Sequence, residues 1–261
     1  MVRLGEHYLV ELARCDSRVL SDSDSIENIL LRACKEANAH RVDHKFYSHP
    51  DKSVSGVIVI EESHLSIHTF PKQEYAVADF FTCSDAVIEE DGIALLAEKL
   101  SSGNYGFSRL ERGLLPYHTI NIPKEAKLDN GSMHSPTALN HVILEAWGIE
   151  PEKLEKKETL EKPFVEAAKS GGQVILYSNF HNFNPHGTSG FVLGDKSHTT
   201  VHTWPEHGYA AIDVMAPEGK VDIDRIAKSL LDYLQPRYHG KSTLERGSVY
   251  SPGYNTHINA W

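Results

Sequence analysis

A chain of 261 residues that is 40% hydrophobic and 24% charged, with 18 Gly and 12 Pro, has the profile of a folded globular protein and could bury one large core or two small ones. A formal net charge of −10 without a basic stripe argues against a nucleic-acid partner, which needs clustered Lys and Arg to displace counterions. Three cysteines, Cys15, Cys34 and Cys83, without CxxC spacing argue against a disulfide framework or a zinc ribbon and fit a reducing, cytoplasmic setting.

The opening segment "MVRLGEHYLVELARCD" is charged and alternates in polarity, so no signal peptide or membrane anchor is expected; no apolar run approaches the ~20 residues of a span. Within it "HYLVEL" reads as a strand. "SIENILLRACKEANA" follows as an amphipathic helix with Ile26, Ile29, Leu30, Ala33 and Ala37 on one face, and Asp24 with Glu27 as a capping box. Strands are expected at "SGVIVIE", "LSIHTF" and "YAVADFF", then a helix from Glu89 to Ser101 and a closing strand in "GNYGFSRLERG".

The pattern then begins again. "EESHLSIHTFPKQEYAVADFFTC" from Glu61 has a near-twin in "DKSHTTVHTWPEHGYAAIDVMAP" from Asp195, and ten of the twenty-five positions from Ser55 to Asp79 are identical to their counterparts. The offset of 134 residues holds without a gap and also pairs His7 with His141, Glu11 with Glu145, Phe46 with Phe180, and the two "LERG" segments at 110–113 and 244–247. Two copies of such length are a fused pair of domains, not a solenoid. The boundaries fall at 1–125, a turn-rich linker at 126–137, and 138–261.

The order βαβββαβ with short links implies an α+β fold: two homologous units, each an antiparallel sheet with helices on one face, forming an internal pseudo-dimer. Whether the units meet through sheet faces or edges is open at this point, as is further oligomerisation.

The repeated segment holds HxxxH twice, at His64/His68 and His198/His202. In a strand those positions lie about 13 Å apart, too far to share one ion, so no metal is expected. Ser63 and His68 differ by five and would point to opposite faces of one strand, and no GxSxG elbow surrounds either serine of the two copies.

These residues carry a resemblance. "SGVIVIEESHLSIHTFP" followed by "YAVADFFTC" is similar to the S-adenosylmethionine decarboxylase proenzymes of the short prokaryotic type, over nearly the whole of both halves. The resemblance implies self-cleavage between Glu62 and Ser63, with Ser63 becoming a pyruvoyl cofactor on a fragment 63–261. It also implies that Ser55 and His68 assist processing and that Cys83 donates a proton in turnover. A pyruvoyl carbonyl condenses with the substrate's α-amine and draws electrons from the breaking Cα–carboxylate bond, the role pyridoxal phosphate plays elsewhere.

Family sites lie at the interface of two units, and the departures here sort along that division. Copy one keeps Ser55, Glu62, Ser63, His68 and Cys83 but has Phe70, Lys72 and His49 at the positions that hold substrate. Copy two offers Phe183, Trp204 and Glu206 for substrate binding but has Lys196 before Ser197 and Pro217 at the cysteine position. One complete site per chain is therefore expected, with the Lys196-Ser197 bond left intact.

The function implied is pyruvoyl-dependent decarboxylation of S-adenosylmethionine for polyamine (spermidine) synthesis, with that small molecule as partner and no nucleic acid or membrane. The rivals are a related arginine or ornithine decarboxylase and an uncleaved pseudoenzyme that regulates an active one.

Overall fold

The opening segment, with Tyr8, Leu9, Val10 and Leu12, forms β1 (Gly5–Ala13), every residue of it buried. In this computed structural model, residues 3–61, 63–114, 138–183 and 187–247 are described; Glu62 and the expected linker lie outside the described residues. After β1 come α1 (Ser17–Leu20), α2 (Ser23–Glu36), β2 (Arg41–Ser48), β3 (Val54–Ile60), β4 (Ser63–Phe70), β5 (Tyr75–Thr82), α3 (Glu89–Lys99) and β6 (Asn104–Arg112). The second unit repeats the order as β7 (Leu139–Trp147), α4 (Pro151–Leu154), α5 (Lys157–Ser170), β8 (Ile175–Asn182), β9 (Thr188–Gly194), β10 (Ser197–Trp204), β11 (Tyr209–Pro217), α6 (Ile223–Leu234) and β12 (Tyr238–Arg246).

Each unit is a six-stranded antiparallel sheet, ordered β2-β3-β4-β5-β1-β6 and β8-β9-β10-β11-β7-β12. The expected α+β class holds, with one strand more per unit than the sequence suggested. The addition, β2, is a largely exposed edge strand whose "RVDHKFYS" lacks apolar alternation. The expected capping box is also corrected: α2 starts at Ser23, so Asp22 takes the N-cap position and Asp24 lies in the first turn.

One face of each sheet is covered by its own helices. In the first unit Ile26, Leu30 and Ala33 of α2 and Ile93 and Leu96 of α3 pack with Leu65, Ile67 and Phe80. Each Ile, Leu or Phe side chain so removed from water contributes roughly 1.5–3 kcal/mol. The shared "SG" has a packing reason: a Cβ at Gly56 or Gly190 would lie within 2.2 Å or 2.0 Å of the ring of Phe46 or Phe180 on the neighbouring strand.

The other faces meet, so the units join through sheets and not edges. Leu9 and Leu110 pack with Ile143 and Leu244, and Val57 and Val59 with Phe191 and Leu193. The repeated "LERG" supplies the polar part of this interface. Arg112 reaches across to Glu145 and, at 2.9 Å, to Asp213; Arg246 reaches back to Glu11 at 2.7 Å and to Asp79. All six residues of this reciprocal clasp are buried. Burial opposes the charge on each partner, yet the opposite charges outweigh it: Asp79 and Asp213 are held well below the usual carboxylate range, and both arginines above their usual value.

Candidate active site

The two sheets also press six buried histidines together: His7, His64 and His68 from the first unit, His141, His198 and His202 from the second. The rings of His64 and His202 stack at 4.9 Å with 7° between planes, and those of His68 and His198 at 5.3 Å with 18°. Burial, joined by the neighbouring rings, pushes His64 down to about 3 and holds His202 and His68 well below the ordinary imidazole value; His198 falls to about 4, with burial the main cause. These four imidazoles are therefore neutral at pH 7, each keeping a ring nitrogen able to accept a hydrogen bond. Among the described residues no group of His, Cys, Asp and Glu is arranged to hold a metal ion.

Ser63 begins β4 with a backbone φ of +150°, a region that L-residues rarely adopt and that costs of order 1–3 kcal/mol. Its hydroxyl is buried and lies 2.8 Å from Nδ1 and 3.0 Å from Nε2 of His202, a residue of the second unit. His202 Nδ1 is also 2.7 Å from the Ser189 hydroxyl, its Nε2 is 2.8 Å from His64 Nδ1, and Phe81 covers the ring at 4.3 Å. Ser63 thus faces a polar line, Ser189–His202–His64, drawn from both units.

This line opens on a cleft of about 820 Å3 between the units. The first unit contributes Ser63, Phe81, Cys83, Arg41 and Glu61 to its walls; the second contributes Ser189, His202, Phe183, Trp204 and Glu206. Trp204 lies 5.2 Å from Tyr209 and 6.5 Å from Phe81 and is partly exposed at the cleft wall. Cys83 leaves the end of β5 exposed, next to Thr82, the register partner of Ser63. Of the residues singled out from sequence, Ser63, Cys83, Phe183, Trp204 and Glu206 share the cleft, and Glu62 lies outside the described residues.

Ser55 and His68 do not join them, which corrects their expected position. The antiparallel register sets Ser55 opposite His68 at one end of the β3–β4 pair and Ile60 opposite Ser63 at the other. Five residues at ~3.3 Å each keep Ser63 and His68 about 16 Å apart. Face-to-face packing of two like units instead brings the histidine end of β10 to the serine end of β4. The pair at Ser63 is consequently Ser189 and His202, the counterparts of Ser55 and His68. The signal was present in the repeat offset together with the distance along one strand.

Ser55 and His68 belong to the counterpart region around Lys196 and Ser197. The Ser55 hydroxyl is 2.9 Å from His68 Nδ1 and 2.8 Å from His49 Nε2, and His68 Nε2 is 3.0 Å from His198 Nδ1. His49 Nδ1 pairs with Asp195 at 3.0 Å, and Lys196 pairs with Asp51. His49, standing where copy two has Phe183, thus closes this region with cross-unit polar contacts.

Comparison with known proteins returns the same division into halves. A family model described as S-adenosylmethionine decarboxylase matches residues 6–113 and again 140–247. An S-adenosylmethionine decarboxylase proenzyme of Pelotomaculum thermopropionicum is 40% identical over 116 residues, 44% of this chain and 92% of that protein. One from Syntrophomonas wolfei is 42% identical over 115 residues, 44% of this chain and 91% of its own length. A solved structure of adenosylmethionine decarboxylase from Aquifex aeolicus is 28% identical, with 46% of this chain and 98% of that chain covered at a TM-score of 0.41. Each relative thus has the length of a single unit.

Proposed function

Because the chain belongs to the S-adenosylmethionine decarboxylase family, matched by both of its halves, we propose that it is a self-cleaving, pyruvoyl-dependent S-adenosylmethionine decarboxylase with one working site, composed from both units. The observation that carries this reading is the cleft in which Ser63 and Cys83 of one unit face His202, Phe183, Trp204 and Glu206 of the other.

In processing, the Ser63 hydroxyl, hydrogen-bonded to neutral His202, attacks the carbonyl of Glu62, and its proton passes by way of that ring to the departing Ser63 nitrogen as the acyl group moves from nitrogen to oxygen. Ser189 holds the His202 ring by its other contact at Nδ1. Relief of the positive φ at Ser63 favours the shift. Loss of the Ser63 α-proton with departure of the Glu62 carboxylate, then hydrolysis, leaves a pyruvoyl at residue 63 and releases ammonia. The buried, cleft-facing position of Ser63 beside Cys83 fits that group. Once formed, it supplies an electron sink for loss of the substrate carboxylate.

The chain's own groups do the rest. Phe183 and Trp204 offer aromatic faces to the nucleoside, and Glu206 accepts hydrogen bonds from ribose hydroxyls. Cys83 delivers a proton to Cα as carbon dioxide leaves, so each turnover consumes one proton. The product serves as an aminopropyl donor for polyamine synthesis, a role that belongs in the cytoplasm; among the described residues no helix is long and apolar enough to cross a membrane.

The test is carbon dioxide release from S-adenosylmethionine, arginine and ornithine in parallel. Release from S-adenosylmethionine alone is expected. Release from arginine or ornithine in its place would move the enzyme to the related decarboxylases, and release from none would leave the pseudoenzyme reading.

A further inference from the structure

Behind Cys83 lies a second cavity of about 680 Å3, whose walls include Glu6, Thr82, Cys83 and Val87. Cys83 therefore borders two open spaces, while Thr82 before it is buried and paired with Glu6 and Ser63 on the neighbouring strands. A further restraint on this strand end is polar and buried. The Thr82 hydroxyl donates to the carboxylate of Glu89, the first residue of α3, which is only 6% exposed. Tyr8 is buried in the charge environment of that carboxylate, and Glu6 and Arg109 form an ion pair close by. Burial, with Glu6 adding repulsion, pushes the Glu89 carboxyl up, so its retention inside the fold has a cost.

An ordinary reading of Glu89 is an acid complementing the positive end of a helix. Glu90 and Asp91, exposed in the same turn, already serve that purpose, and only Glu89 turns inward. The second unit is an internal control. At the repeat offset Thr82 corresponds to Ala216, Glu89 to Ile223, Tyr8 to Val142, and Glu6 and Arg109 to Asn140 and Thr243. Ile223 begins the corresponding helix, and it and Ala216 are buried in an apolar cluster. The fold thus accepts an apolar pair at this place. It keeps the polar pair only in the unit that has Cys83; the other has Pro217.

We propose that Glu89 is a positioning residue for decarboxylation: through Thr82 it fixes the end of β5, and with it the direction in which Cys83 presents its thiol to the cleft. The inference rests on the function proposed above. An error of about 1 Å in placing a reacting group can lower a rate about 100-fold.

The experiment transplants the second unit's pair, Thr82→Ala with Glu89→Ile, and measures turnover of S-adenosylmethionine per cleaved chain. Thr82→Val, which removes only the hydroxyl, serves if the double variant does not fold. The expected result is a fall in kcat of roughly 10- to 100-fold with KM within about twofold of the unmodified chain, and Glu89→Gln, which still accepts from Thr82, recovering the rate to within about threefold. A kcat within twofold of the unmodified chain in both the double variant and Thr82→Val would overturn the proposal, as would a Glu89→Gln loss as large as that of the double variant. Failure of the unmodified chain itself to cleave or turn over would instead reject the function on which the proposal rests.

Discussion

Lowering the pH from 7 to 5 should destabilise this fold far more than its surface charge would suggest, because of the histidines sealed between the sheets. An unfolded imidazole titrates near 6.5, whereas buried His64 is held at about 3 and His198 at about 4. Above pH 6.5 each is neutral in both states and contributes nothing. As the pH falls below 6.5 the unfolded chain takes up protons that the folded chain refuses, and the folded state loses about 1.4 kcal/mol per unit for each group. At pH 5 the loss is roughly 2 kcal/mol apiece, about 4 kcal/mol for the pair. His68, His141 and His202 are shifted in the same direction and add to it. Asp79 and Asp213, held below the usual carboxylate value, contribute stability that is lost only as the pH falls through the carboxylate range, so they do not offset this loss at pH 5. Urea unfolding of the uncleaved Ser63→Ala chain at the two pH values measures the difference. A change under about 1 kcal/mol would refute the neutral, buried histidine layer.

Other outcomes follow from the same contacts. Arg246→Met leaves the buried carboxylates of Glu11 and Asp79 without their cation and should cost about 3–5 kcal/mol in urea unfolding. His202→Ala should slow cleavage by about 10²–10⁴-fold, whereas His68→Ala, altering the counterpart region, should leave cleavage within about tenfold, as read by fragment mass over time. Glu206→Ala should spare cleavage but raise KM for S-adenosylmethionine by roughly 10- to 100-fold, the worth of a lost hydrogen bond to a charged group, in steady-state assays.

The duplication and the two long helices of the first unit were legible in the sequence because period and offset are linear signals. Ile26, Leu30 and Ala33 announced their face by spacing alone. Strand β2 was not legible, since Arg41–Ser48 is exposed and polar and gains its identity only from pairing with β3. The joining of the sheets was hidden for a related reason. His64, Ser66 and His68 alternate with Leu65 and Ile67, a pattern that in an antiparallel sheet ordinarily turns its polar side to water. Here that side meets a second sheet whose charges complement it, and Arg112 and Arg246, which look like surface residues in "LERG", are buried at the centre. The site divided likewise. Ser63, Cys83, Trp204 and Glu206 stood out by their motif and line one cleft, but the histidine in hydrogen-bond contact with Ser63 is separated from it by 139 residues. Only the packing of the two faces chooses His202 over His68.

The intact mass of the freshly made, unmodified chain tests the central claim most directly. The account predicts two fragments, residues 1–62 and 63–261, the larger blocked at its N-terminus by a pyruvoyl group and uncut between Lys196 and Ser197. A single uncleaved polypeptide, or a fragment beginning at Ser197, would contradict it.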